Sequence, residues 1–220
     1  MRPLRSGILA MAAAAPGPKS MQFLGARDDL SPAQVMTVNN VNIGTPGNRV
    51  VVISTYNWNG AVPSSVTING VAATIITQFV AGFQIRATIC YAYVPSGSSV
   101  TVVFSFSTAP TMASWAVYAL YNLDSNVAYA TQQTTTTGSP IVATVNAAAN
   151  GFAFGALFTS DNGVISQTGL TLDHGFSAQA GGWQVVFSSA PTPSAGILTW
   201  QGVISSTPAG TTAVVMASFA

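Results

Sequence analysis

The chain has 220 residues, six basic and five acidic side chains, and a net charge of +1, with only 5% charged residues against about 25% in an average soluble domain. That balance excludes strong electrostatic attraction to nucleic acid or an anionic membrane, and a single cysteine, Cys90, excludes an intrachain disulfide framework. Apolar residues make up 49% of the chain, but Ser, Thr, Asn and Gly break every run well short of the roughly 18–20 residues of a spanning helix.

Residues 1–33 stand apart. Met1 to Arg5 and the alanine-rich run from Gly7 to Ala15 have the outline of a short secretory signal. The apolar run is short and mostly alanine, so an ordered arm is the better expectation. Arg2, Arg5, Lys19 and Arg27 lie here with Asp28 and Asp29, more than half of all formal charges in the chain. Pro3, Pro16, Pro18 and Pro32 interrupt it, and no apolar periodicity builds a core. The segment predicts an extended N-terminal arm. Its four basic residues would pair with acids on a partner, because the body offers so few.

From about residue 34 the pattern is strand after strand. Gly47-Asn48-Arg49 leads into the β-branched run Val50–Tyr56. Ser65–Ile68 meets Asn69-Gly70, the strongest short hairpin signal, and Ala73–Ile76 follows. Phe83–Val94 alternates with Phe83, Ile85, Ala87, Ile89, Tyr91 and Tyr93 on one face. After the Pro95-Ser96-Gly97 turn come Ser99–Phe106, Trp115–Tyr121, Val127–Thr134, Ile141–Val145 and Phe152–Phe158. Trp183–Ser188, Ile197–Ile204 and Thr212–Phe219 close the series. About a dozen strands at roughly 8–12-residue spacing predict an all-β chain. The expected architecture over 34–220 is one antiparallel two-sheet β-sandwich, jelly-roll-like. Pro46–Ser54 and Ala149–Ala156 each place a Gly/Asn turn before a core strand, a weak internal similarity that would suit two halves of one sandwich.

Catalysis needs convergent titratable groups, and this chain has one histidine and no glutamate. His174 follows Asp173, but successive strand residues point to opposite faces, so the pair reads as a turn near solvent. Asp124, Asp161 and Asp173 all neighbour turn residues, where aspartate serves the backbone. One Cys and one His cannot assemble a zinc set, and Asp161-Asn162-Gly163 lacks the acidic count of a calcium loop. Cys90, in Ile89-Cys90-Tyr91, reads as a buried core thiol. No catalytic residue, metal or cofactor is expected.

Trp115 and Trp200 sit inside apolar strands and read as core. Trp58, among Asn57 and Asn59, and Trp183, after Gly181-Gly182, are candidate sugar platforms set against an ordinary role in pinning strand ends. Thr131–Ser139 is hydroxyl-rich and uncharged, and an edge without charge is poorly guarded against pairing with another copy.

The runs Gly47–Ser54, Val66–Thr74, Tyr91–Gly97 and Ala213–Phe219 resemble Ser/Thr/Gly-rich β-sandwich domains of phage structural proteins and some bacterial surface proteins. The resemblance implies a virion component, a head-decorating protein or a tail-attached appendage. Its partners would be other virion proteins and copies of itself. The other function to weigh is a glycan-binding adhesion module on a phage tail or bacterial surface.

Overall fold

The computed structural model describes residues 17–29, 32–58, 63–80, 85–137, 139–159, 165–178, 183–204 and 211–220. They form seventeen strands and no helix. The first group is β1 (Ser20–Asp29), β2 (Val35–Asn42), β3 (Arg49–Trp58), β4 (Pro63–Ile68), β5 (Val71–Ala72), β6 (Thr74–Val80), β7 (Ile85–Tyr93), β8 (Ser99–Phe106) and β9 (Ala113–Tyr121). The second is β10 (Ala130–Thr137), β11 (Ile141–Ala147), β12 (Gly151–Thr159), β13 (Ile165–Thr168), β14 (Thr171–Ala178), β15 (Trp183–Thr192), β16 (Gly196–Ile204) and β17 (Thr211–Phe219).

All described strand pairs are antiparallel, in four sheets. Their orders are β1-β9-β3-β7-β6, β2-β8-β4-β5, β10-β17-β12-β15-β14 and β11-β16-β13. The last two repeat the first two. If β10 is set on β1, β11 on β2, β12 on β3 and so on to β17 on β9, both strand orders match, with the two-residue β5 as the one surplus strand. The chain is the same eight-strand plan built twice.

Three apolar cores divide four layers. The central core joins Val52, Tyr56, Ile89 and Tyr118 of the first five-stranded sheet to Phe154, Phe158, Phe187 and Val215 of the second. Val51, Ile53, Cys90 and Trp115, on the other face of the first, pack on Val38, Val66, Val102 and Phe104 of the four-stranded sheet. In the second half, Leu157, Val186 and Met216 likewise pack on Ile141, Val145 and Trp200 of the three-stranded sheet. Both five-stranded sheets are therefore covered on both faces, and the smaller sheets lie outside. β1 meets β14 along one border of the central interface and β6 meets β10 along the other, as a pseudo-two-fold relation requires.

This layering corrects the two-sheet expectation. A strand with one wet face alternates, as β8 and β11 do. A strand covered on both faces is apolar or small throughout, and β9, β12 and β17 are buried along nearly their whole lengths. The alternation expected in Phe83–Val94 puts Ala87, Ile89 and Tyr91 on the central core, but Cys90 and Ala92 face a second core rather than water. Some buried polar positions in the inner strands are hydroxyls that bond locally: Thr55 donates to the Ser114 carbonyl at 3.0 Å. Charge has little room in such a stack.

Part of the expected arm is sheet. Ser20–Asp29 runs antiparallel to β9 as an edge strand, with a bulge between Phe23 and Gly25. Residues 1–16, with Arg2 and Arg5, lie outside the described residues. The Asn69-Gly70 hairpin appears as expected, with both residues at positive φ (54° and 77°), the geometry of a type I′ turn.

Candidate functional site

A group of bonded polar side chains lies where β1 meets β14, at the border between the two halves. Ser114 on β9 donates its hydroxyl hydrogen to Asp28 Oδ1 on β1. His174 Nε2 on β14 lies 3.2 Å from the same oxygen. One turn of the pleat away, the Tyr118 hydroxyl donates to Asp173 Oδ2 at 3.0 Å, and Ser189 also bonds that carboxylate. His174 stacks on Phe187 with ring centroids 6.1 Å apart.

Asp173 and His174 thus both reach the first half, although they are adjacent in a strand. The reason is a bulge between Leu172 and His174, which leaves an extra residue unpaired and re-aims its side chain. Where the sequence predicts a turn near solvent, His174 is a strand residue at the contact between halves. Gly175 carried the signal, because a glycine inside a strand often marks a bulge.

The arrangement is not a nucleophile with its base. A hydrolytic serine must give its proton to the imidazole. Here Ser114 and His174 share one carboxylate oxygen, and Ser114 is fully buried. The cluster stitches the halves together, and His174 with Asp28 is an ion pair whenever the imidazole is protonated.

Burial sets the electrostatics. It raises the Asp173 carboxyl pKa, and the bonds from Ser189 and Tyr118 offset this only in part. Burial, with the Asp173 charge second, drives the Tyr118 phenol far above its ordinary value. A folded-state pKa above the unfolded one means that the folded chain binds that proton more tightly. The Asp173 contribution to stability is then greatest below the unfolded carboxyl range and declines as pH rises through the folded value. Asp173→Asn, which cannot ionise, should gain melting temperature relative to wild type as pH rises from below the ordinary carboxyl range to above it. A flat or falling difference in calorimetry would contradict that assignment.

The other sequence-singled residues are scattered. Lys19, expected to meet a partner's acid, pairs with Asp124 of its own chain. Arg27 is exposed on β1. Trp58 is half-buried, packed against the central core, with its backbone bonded to Met112 and Thr111. Trp183 begins β15, so the two tryptophans lie on different sheets. Asp161 falls outside the described residues. Cys90 is free and fully buried, its thiol pushed up to about 12 by desolvation.

The hydroxyl-rich Thr131–Thr137 is the body of β10, an edge of its sheet, bonded on one side to β17 and largely exposed. Among the described residues, no three His, Cys, Asp or Glu side chains gather as a metal set, and no helix is long and apolar enough to cross a membrane. Compared with known proteins, the chain matches no family model, no curated protein and no solved structure.

Proposed function

We propose that this chain is a non-enzymatic virion structural protein, held to neighbouring subunits through its N-terminal segment as a capsid-decorating or tail-attached component. We read each half as a jelly roll. What supports that reading is the strand order: eight strands divide into two sheets in which β3 lies between β9 and β7 while β8 lies between β2 and β4, and the second half repeats it. Jelly rolls serve in viral capsids and in lectins, so the fold alone is an analogy.

The observation that carries the proposal is the neutral surface of a duplicated stack. Of the five charged residues beyond residue 33, Arg49 is fully buried and Asp173 is half-buried. Free domains keep apart by charge, whereas β10 offers an uncharged edge to a neighbouring copy. The polar cluster supports the non-enzymatic part, because its serine is sealed and its histidine is committed to Asp28.

The anchor assignment falls on residues 1–16, with Arg2 and Arg5, since β1 belongs to the sheet and Lys19 is paired within the chain. Mass spectrometry of gradient-purified particles should find the full-length chain in stoichiometric amount. A chain lacking residues 1–16 keeps β1, so it should fold with an unchanged melting curve yet be missing from particles. Absence of the full-length chain from particles would sink the virion reading. Undiminished incorporation of the truncated chain would sink the anchor alone.

A further inference from the structure

The duplication supplies an internal control, because each half has a groove between its first two strands. In the second half β10 and β11 run in unbroken register with β17 and β16. The groove there is about 130 Å³, lined by Ala130, Thr131, Gln132, Thr144, Asn146 and Ile197 among others. It has no aromatic ring and no charge.

The equivalent groove of the first half departs from that plan on both rims. β1 bulges between Phe23 and Gly25, and β2 bulges between Val38 and Val41. The cavity is about 230 Å³, with Arg27 on one rim, Asn39, Asn40 and Asn42 on the other, and Trp115 in the floor. Bulges next to a cavity re-aim side chains into it and are features in their own right. Two of them, on facing strands of one repeat and neither in the other, single out this groove.

Its groups are set for a ligand. The Asn39 Oδ1 atom accepts from Thr101 Oγ1 at 2.9 Å, and Asn42 Oδ1 accepts from the Gly44 amide at 2.9 Å. Both amides are thereby oriented with their N–H groups left to donate. Asn40, at φ 58°, holds the left-handed conformation that Asn tolerates better than most residues. Arg27 lies directly opposite Trp115 in the β1–β9 register and has no ion pair among the described residues. Trp115 is 5% exposed, and its indole N–H has no hydrogen-bond partner. A buried polar group without a partner asks for an explanation.

We propose that the groove between β1 and β2 binds one pyranose unit that carries a carboxylate, as in a uronate- or sialate-containing glycan. Several amide donors, with the unpartnered indole N–H of Trp115 beneath them, suit the hydroxyls of a sugar ring. The guanidinium at the rim would take the carboxylate by charge-assisted bonds. The volume is below the roughly 300–1,000 Å³ of sites for drug-sized ligands, so it holds one ring rather than a chain. The site is distinct from Trp58 and Trp183, and it stands or falls independently of the virion assignment.

The test is a glycan array containing neutral, uronate and sialylated glycans, probed with the full chain, and titration calorimetry on the best ligand. Hits should be confined to acidic glycans. Arg27→Gln and Asn40→Gly should each weaken binding about tenfold, the scale of one lost charged or buried bond. Trp115→Phe, which keeps the core filled and removes only the N–H, should weaken it less but measurably. Gln132→Ala in the second groove should leave affinity unchanged. No hits, hits on neutral glycans alone, or affinity undiminished in Arg27→Gln and Asn40→Gly at wild-type melting temperature would overturn the proposal.

Discussion

Arg49→Met should destabilise the protein by about 3 kcal/mol or more, because five charge-assisted bonds are lost and their acceptors are left behind. For a chain of this size, a loss of that scale lowers the melting temperature by roughly 6–12 °C. Arg49 is the largest charged group in the interior, 1% exposed. No acid faces it. Its Nε donates to the Val94 carbonyl at 2.9 Å. One terminal nitrogen reaches the carbonyls of Gly44 and Thr45, at 2.8 and 2.6 Å. The other reaches Ser96 and Gly97, at 3.1 and 2.7 Å. A guanidinium has five N–H donors in a fixed fork, and here each finds a backbone oxygen. The side chain therefore closes two loops at one end of the first half. Arg49→Lys should recover only part of the loss, since an ammonium has three donors and no fork. Thermal denaturation of both variants checks this, and a Met variant within 1 °C of wild type would contradict it.

Phe154→Ala should cost about 3–5 kcal/mol, the range for removing a large buried aromatic. Phe154 lies in the central core, fully buried. Its ring meets Tyr118 edge-on at 4.9 Å across the two halves and Phe219 at 5.8 Å within its own sheet. Tyr56 stacks on Phe158 across the same interface at 4.5 Å. Such pairs add about 0.5–1.5 kcal/mol each beyond burial, and a rigid inner sheet cannot collapse to fill the hole. Denaturant titration should show a lower midpoint with an unchanged slope. A change within 1 kcal/mol would mean that the two inner sheets are not packed as described.

Much of this fold is written in local patterns. Ser99–Phe106 alternates because it belongs to an outer sheet, and its bounds match the observed strand. Asn69-Gly70 announces its hairpin because few other pairs accept positive φ twice. The likeness between Pro46–Ser54 and Ala149–Ala156 is real in the structure: they lead into or contain β3 and β12, which hold equivalent places in the two halves. The uninterrupted runs of β9, β12 and β17 carried the news of a second covered face. A single strand does not say what covers it, however, so four layers were not legible.

The polar features were hidden for a different reason. β1 has no clean alternation, since a bulge at Phe23/Gly25 shifts its phase and its edge is partly wet. The bulge in β14 likewise breaks the parity rule that set Asp173 and His174 on opposite faces. Trp115 looked like plain core, and only the strand partner opposite it, Arg27, shows that it also floors a groove. Gly25, Gly175 and the Asn39-Asn40 pair were the local signs, each a small residue or amide inside a strand.

The chain is two copies of one sandwich pressed together on their larger sheets, so that both inner sheets are buried on both faces. Cutting the link between Ser125 and Asn126 tests it most directly, with residues 1–125 and 126–220 made separately and together. Each half alone would expose a contiguous apolar face (Tyr56, Ile89 and Tyr118 on one; Phe154, Phe158 and Phe187 on the other), far beyond the patches that monomers tolerate. The halves should aggregate when made singly and, when made together, co-purify as a one-to-one complex by light scattering. Two separately soluble, monomeric halves with sharp melting transitions and no affinity for each other would contradict the account.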